Sequence, residues 1–580
     1  MTERVDAKLR MPAVPGLRML RSYQRGWLTN DVVAGLVLTT LLVPQGMAYA
    51  ELAGLPAITG LYTSVLCLIG YAVFGPSRVL VLGPDSSLGP MIAASVVPLL
   101  AANGDPARAV ALASALALLV GGIAAVGALA RLGFVADLLS LPTMIGYMNG
   151  LALTILIGQL PKLFGFSVDA DGLINEARAF ADGLRNGETV GAALAGGVVA
   201  LLLMEGLQRF SPRLPGVLIA VAVSIALANG LDLEQHGVSV VGSLPQGFPP
   251  FTIPDIRLSD VPPLTLAAFG IVLVSLADTI ATASAFAGRR GEDVDGNQEM
   301  LAVGAANIAA GLFQGFPVST SGSRTAVATS AGSRSQMTGI VGAVAIVAML
   351  VAVPGLLRDL PQATLGAVVI SASLTLADIP GTLRLWRQSH PEFAVSIAAF
   401  LGVAILGVLP GIVVAVALSV ANVFRRSWWP YQTELGRVAG IPGYHDVRSY
   451  PDAELVPGVV IFRFDAPLFF ANANTFRDQI VRLASAAPRP QWIIVAAEPI
   501  TDVDPTAADM LESVDKRIND LGVALVFAEL KDPVRRKLER YELTKTIDPR
   551  HFFPTVDAAV AAFHEQSGDT EQSGAETVAT

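Results

Sequence analysis

Residues 315–329 read GFPVSTSGSRTAVAT, a proline, glycines and a run of hydroxyl side chains set between two long apolar segments. Such a stretch interrupts an apolar helix and restarts it as a short one, with Arg324 in its first turns. The first turn of a helix carries unpaired N–H groups and about half a positive charge. An arginine added there makes a setting for an anion. Ser319, Thr320, Ser321, Gly322, Ser323 and Arg324 are therefore candidates for one wall of an anion site. A helix cap with a packing arginine beside a water-filled vestibule fits the same residues.

A second interruption lies near residue 83, where the chain reads LGPDSSLGPM. Gly83 and Pro84 break the apolar run, and Asp85, Ser86 and Ser87 open another short helix. Two further groups could border the same spot. Gln45 and Tyr49 follow Pro44 one helical turn apart on one face, suited to a ligand or to holding helices together. Asp278, in LVSLADTIATASAF, has Thr282 one turn further on. A carboxylate in such surroundings must be paired, hydrated or protonated.

The elements that would position these groups follow from composition. Of 580 residues, 53% are hydrophobic and only 15% charged, and mean hydropathy is +0.57. That excludes an ordinary soluble enzyme and indicates an α-helical polytopic membrane protein. Apolar segments predict about fourteen crossings, near residues 31–53, 58–75, 86–100, 107–130, 135–160, 189–206, 214–231, 264–288, 297–314, 320–331, 337–354, 361–378, 391–408 and 410–425. Residues 1–30 are polar and basic and are expected to form a cytoplasmic leader. Basic residues, Arg78, Arg131, Arg209, Arg334, Arg384, Arg387, Arg425 and Arg426 among them, fall on one side of this threading. The bias places both termini in the cytoplasm, with Lys162, Arg257 and Arg358 as exceptions. The two broken crossings are the third and the tenth, equivalent places in two sets of seven, which is the pattern of an inverted repeat. A pair of ordinary kinked helices is the alternative. Cys67 is the single cysteine, so no intrachain disulfide is possible. The net charge of −9 gives no reason to expect nucleic acid as a partner. Neither a cofactor nor a bound metal is expected, sodium near Asp278 and Thr282 excepted.

VPQGMAYAELAGLP, LGPDSSLGP and DVDGNQEMLAVGAANIAAGLFQGFPVSTSGSRT together resemble the sulfate permease family, and the resemblance extends over nearly the whole chain. It implies a seven-plus-seven inverted repeat with a core domain of crossings 1–4 and 8–11 and a gate domain of the other six. It also implies homodimers that work by an elevator-like motion. Residue by residue, it implies an anion site lined by Gln45 and Tyr49, by Pro84, Asp85 and Ser86, and by Ser323 and Arg324. In many family members the position of Asp85 is apolar or carries a hydroxyl. A carboxylate there points to a helix cap, a protonated acid, or departure from the usual substrates. Asp278 matches an acidic residue linked to cation coupling in prokaryotic and plant members. Asp278 and Thr282 also resemble a pair in the sodium-dependent bicarbonate branch, which lacks the arginine.

After Arg426, the runs VVIFRFD, WIIVAA and VALVFAEL alternate with helical patterns at about 470–484, 507–521 and 532–541, predicting a small α/β domain. By resemblance it is a cytoplasmic STAS domain over 440–566, following a transporter domain over 31–426 and preceding a disordered tail over 567–580. Thr506, in TDVDPTAADML, is either a remnant of a phosphorylated position or the N-cap of its helix. No G-x-x-x-x-G-K-[ST] loop occurs, which argues against ATP-driven pumping. The expected function is proton-coupled symport of inorganic anions, sulfate first. Sodium-dependent bicarbonate or C4-dicarboxylate symport is an alternative, and so is nucleobase permeation on the same fold. An anion-sensing signalling protein acting through a partner of the STAS domain is a third class.

Overall fold

The computed structural model describes residues 14–100, 104–134, 139–168, 170, 172–211, 214–288, 293–543 and 546–577. Thus the start of the leader, Lys8 and Arg10 included, lies outside the described residues, as does the 135–138 start of the fifth crossing. The chain divides into two compact units, residues 1–419 and 420–580.

The first unit is helical: α1 (Pro15–Arg21), α2 (Leu28–Leu52), α3 (Ala57–Phe74), a strand β1 (Leu82–Gly83), α4 (Gly89–Val96), α5 (Pro106–Leu129), α6 (Leu141–Phe164), α7 (Leu173–Arg185), α8 (Gly191–Phe210) and α9 (Gly216–Gly230). It continues with α10 (Val261–Gly288), α11 (Gly296–Gly311), β2 (Ser319–Thr320), α12 (Gly322–Ser330), α13 (Met337–Ala352), α14 (Gln362–Leu376), α15 (Ile379–Gln388), α16 (His390–Leu406) and α17 (Val408–Trp428). Each expected crossing coincides with a helix. Among the described residues, eight helices are long and apolar enough to cross a membrane on their own. Two amphipathic helices, α7 and α15, occupy stretches read from sequence as polar connections. Their short hydrophobic stripes are masked by the charges beside them.

Packing sorts the helices into two sets. In one, α11 lies between α3 and α5, α13 packs on α2 and α3, and α10 on α5. In the other, α6 packs on α14 and α16, and α8 on α9 and α14. Small residues let these helices approach closely. At Gly60 an added Cβ would lie 1.8 Å from the carbonyl oxygen of Gly46, so α2 and α3 touch backbone to backbone. The sets meet along α2, which also packs on α14 and α9. At the end of α2 the Glu51 carboxylate accepts from Lys162 Nζ of α6 at 3.3 Å. At its beginning, buried Asp31 accepts from the Arg334 and Ser335 N–H groups at 2.7 and 3.2 Å, and from the Ser335 hydroxyl at 2.7 Å. This ties the start of α2 to the turn before α13.

The second unit holds β3 (Gln432–Arg437), β4 (Tyr444–Asp446), β5 (Val459–Phe464), α18 (Ala473–Ala484), β6 (Trp492–Ala496), α19 (Pro505–Asn519), β7 (Ala524–Ala528), α20 (Asp532–Arg540), β8 (Phe552–Phe553) and α21 (Val556–Thr577). Its sheet runs β4-β3-β5-β6-β7-β8, parallel from β5 onward and antiparallel at β3 and β4. Alternate residues serve opposite faces, as the two-residue period of a strand requires. Phe462, Phe464, Ile493, Val495 and Phe527 pack against α18 and α19, while Ile461, Ile494 and Val526 pack against α21. The N-cap of α19 is Asp504, whose carboxylate accepts from Ala507 N–H at 2.7 Å. Thr506 is exposed within the first turn and is not the cap. The final helix continues to Thr577, into the stretch expected to be a disordered tail.

Candidate anion site

The two interruptions are joined. Leu82 lies opposite Thr320 and Gly83 opposite Ser319 in an antiparallel pair, extended by the Ser321 N–H donating to the Val81 carbonyl at 3.1 Å. The strands run antiparallel, and the chain continues from this junction into α4 after β1 and into α12 after β2. Non-helical backbone at membrane depth persists only where its polar groups are satisfied. Here side chains from four other helices do that. Asn307 of α11, fully buried, accepts from Val318 N–H at 2.9 Å and donates to the Val318 and Val303 carbonyls. Thr63 of α3 accepts from Phe316 N–H at 3.1 Å, and Ser114 of α5 donates to the Gly315 carbonyl at 2.9 Å. Ser275 of α10 donates to the Val318 carbonyl at 3.2 Å, Thr279 on the same helix bonds Thr320 hydroxyl to hydroxyl at 2.7 Å, and the Val81 N–H donates to Thr325 of α12 at 3.1 Å.

Both short helices start later than the sequence suggests. The third crossing, expected from residue 86, becomes helical at Gly89, because the Asp85 carboxylate takes the Ser87 N–H at 2.9 Å and its hydroxyl at 2.6 Å, closing a turn first. The tenth begins at Gly322 with Ser321 as N-cap, its hydroxyl accepting from Arg324 N–H at 3.4 Å. Ser319 and Thr320 belong to the strand.

Arg324 lies at the centre, 1% exposed. Its Nη1 donates to the Pro84 carbonyl, and its Nη2 lies 3.7 Å from Asp85 Oδ2, near enough to pair electrostatically and too far to hydrogen-bond. Among the described residues Nη2 and Nε find no hydrogen-bond acceptor. Gly83 makes room for this group, since a Cβ there would stand 3.3 Å from the guanidinium carbon. Buried donors on a charged group normally find partners, so these two are open to an acceptor from outside the chain, a ligand or water.

The other predicted residues collect around this point. Buried Tyr49 stands beside Ser86 and within electrostatic reach of Asp85 and Arg324. Half-buried Gln45 lies one turn earlier on α2, and among the described residues its amide makes no hydrogen bond. Exposed Ser323 bonds the Ser321 hydroxyl at 3.1 Å. Asp278 accepts from Ser319 at 3.4 Å and is within reach of both Asp85 and Arg324. The Thr282 hydroxyl lies 3.7 Å from where a Cβ on Gly322 would stand. Sequence reasoning missed Asn307, Thr63, Ser114, Thr279 and Thr325, which hold the junction. An asparagine inside an apolar helix was the one available signal. It also missed the pairing of Asp85 with Arg324.

Residues 28–399 match the family model described as the sulfate permease family, and residues 450–559 that of the STAS domain. A probable sulfate transporter of Mycobacterium tuberculosis (strain CDC 1551 / Oshkosh) is 41% identical over 95% of this chain and 98% of its own length. Sulfate transporter 3.1 of Arabidopsis thaliana is 30% identical over 93% and 85%. Among solved structures, SLC26A9 superposes with a TM-score of 0.87 at 24% identity, covering 98% of this chain and 95% of that one. The transmembrane domain of the cyanobacterial bicarbonate transporter BicA superposes with a TM-score of 0.60 at 19% identity, covering 68% and 98%. At these identities both likenesses are ones of fold. By the family match and the relatives together, the chain belongs to the sulfate permease family, with a STAS domain after its membrane helices.

Proposed function

We propose that this protein is a secondary active transporter of inorganic anions, with sulfate as substrate and the proton as coupling ion. It would work as a homodimer in the cell membrane, both termini cytoplasmic, by an elevator-like movement of the helix set around α11 against the set around α6. The observation that carries the reading is Arg324: a buried guanidinium with two unused donors, placed where two broken helices begin. The names of the relatives at 41% and 30% identity support sulfate.

Formal charge at the junction supports coupling. Two helix starts contribute about half a positive charge each and Arg324 one more, offset by Asp85 and Asp278 if both are ionised. The sum is near zero, a poor match to a dianion. A proton on Asp278 raises it by one. At about 6 Å and an effective dielectric near 20, one unit charge is worth roughly 3 kcal/mol, or about 100-fold in anion affinity. Sodium held by Asp278 and Thr282 would have the same electrostatic effect, and their position one turn apart on α10 is what favours that second reading.

The test is radiolabelled sulfate uptake into proteoliposomes under an imposed pH gradient without sodium, against a panel of bicarbonate, C4-dicarboxylates and uracil as competitors. Uptake driven by the gradient and blocked by oxyanions is expected. Uptake indifferent to the gradient and restored by sodium would reject the proton, and competition by uracil alone would reject the anion.

A further inference from the structure

Helix α15 joins α14 to α16 and therefore lies at a membrane surface. One flank is fixed to the protein. The Asp378 carboxylate accepts from Gly381 N–H at 2.7 Å, Asn149 of α6 donates to the Thr382 hydroxyl at 2.8 Å, and Leu385 is buried. Among the described residues, much of the rest of its surface is exposed. Ile379, Leu383 and Trp386, spaced i, i+4 and i+7, form one apolar stripe and are 58%, 53% and 51% exposed. Arg384 and Arg387 are exposed along the adjoining flank, and among the described residues neither makes a hydrogen bond or ion pair. The Trp386 ring is held edge-on by Phe393 and His390, each 4.9 Å away between centroids.

A helix with an apolar stripe at acyl depth and a basic edge above it suits the boundary between headgroups and acyl chains. Residues three apart on a helix are neighbours, about 5–6 Å between Cβ atoms, so two guanidinium forks can close on one phosphate. We propose that α15 is a binding site for an anionic phospholipid, its phosphate between Arg384 and Arg387 and its acyl chains along Ile379, Leu383 and Trp386. A zwitterionic lipid presents the same phosphate beside its own cation, which two arginines repel. The inference is independent of the transported anion and of which leaflet α15 faces.

The full-length protein in phosphatidylcholine nanodiscs provides the test, with brominated phosphatidylglycerol or brominated phosphatidylcholine as quencher. Trp386 fluorescence is isolated by difference from Trp386→Phe. With two basic residues at the surface, half-quenching is expected at an about tenfold lower fraction of the anionic lipid. Arg384→Gln with Arg387→Gln should bring the two curves together, while the paired Lys substitutions keep most of the preference. Identical curves for the unaltered protein would overturn the proposal, as would a preference that survives the paired Gln substitutions. So would loss of the preference on adding inorganic phosphate alone, which would make this a site for a free anion.

Discussion

Arg324→Gln separates the two roles its surroundings allow. An anion one hydrogen bond from the unused Nη2 sits about 4 Å from the guanidinium charge, an interaction of about 4 kcal/mol per unit charge at an effective dielectric near 20. Asp85, 3.7 Å from the same nitrogen, opposes part of it. A net 2–3 kcal/mol is a loss of roughly 30- to 150-fold in anion affinity. The single substitution also strands Asp85, whose charge then repels the anion, so the informative variant is Arg324→Gln with Asp85→Asn. That pair leaves the local formal charge unchanged and removes the donors. Equilibrium binding of labelled sulfate to the purified protein is the assay, with thermal melting to verify the fold. We expect the double variant to stay at least about tenfold weaker than the unaltered protein, because charge-assisted hydrogen bonds are lost. Recovery to within about threefold would show that the arginine only neutralises Asp85, and the anion reading would fall with it.

Asp278→Asn should abolish the response of uptake to a proton gradient while sulfate still binds, and a gradient response that persists would place the coupling elsewhere. Glu51→Lys or Lys162→Glu alone should slow exchange across the membrane, and the two combined should restore it, because the pair joins the two helix sets. No rescue by the swap would make this ion pair incidental. Asn307→Leu leaves the Val318 N–H unpaired in a dry interior, at about 1–3 kcal/mol, while the Ser275 hydroxyl still serves the Val318 carbonyl. A clear drop in melting temperature together with loss of sulfate binding is expected, and unchanged melting would contradict it. In the second unit, burial pushes the Asp515 carboxyl up to about 6, against a hydrogen bond from Asn519 that lowers it. A carboxyl raised by folding contributes stability below its ordinary range that is lost as pH rises through about 6. Asp515→Asn should therefore raise the melting temperature of the STAS domain near pH 7.5 and leave it nearly unchanged near pH 4, and an equal effect at both would refute the assignment.

The crossings were legible because runs such as 109–130 carry no charge and are long enough, at about 1.5 Å per residue, to exceed the thickness of hydrocarbon. The neighbourhood of Arg324 was legible because glycine, proline and hydroxyl residues cluster in two apolar stretches at matching positions. What stayed hidden depends on distant contacts. A two-residue strand such as Leu82–Gly83 carries no alternation, and its partner is more than two hundred residues away in sequence. The same holds for Asp85, whose neighbour Ser87 shows the turn it closes but whose arginine lies in the other half of the chain. Thr506 is not the cap because the helix already begins at Pro505, with the Asp504 carboxylate accepting from Ala507 N–H, and an aspartate and a threonine two residues apart give the sequence two equivalent cap candidates. The helix α15 was hidden by length: ten residues with two arginines look like a loop until the buried flank around Leu385 is seen.

The pairing of Leu82–Gly83 with Ser319–Thr320 has a mechanical consequence. Both halves of the pocket are stitched through main-chain bonds to each other and through side chains to α3, α5, α10 and α11, so neither short helix can shift without its counterpart. In the transport cycle proposed above, a displacement that turned the site toward a new side would carry the whole seam with it, and the shape offered to the solute would be the same at departure and at arrival.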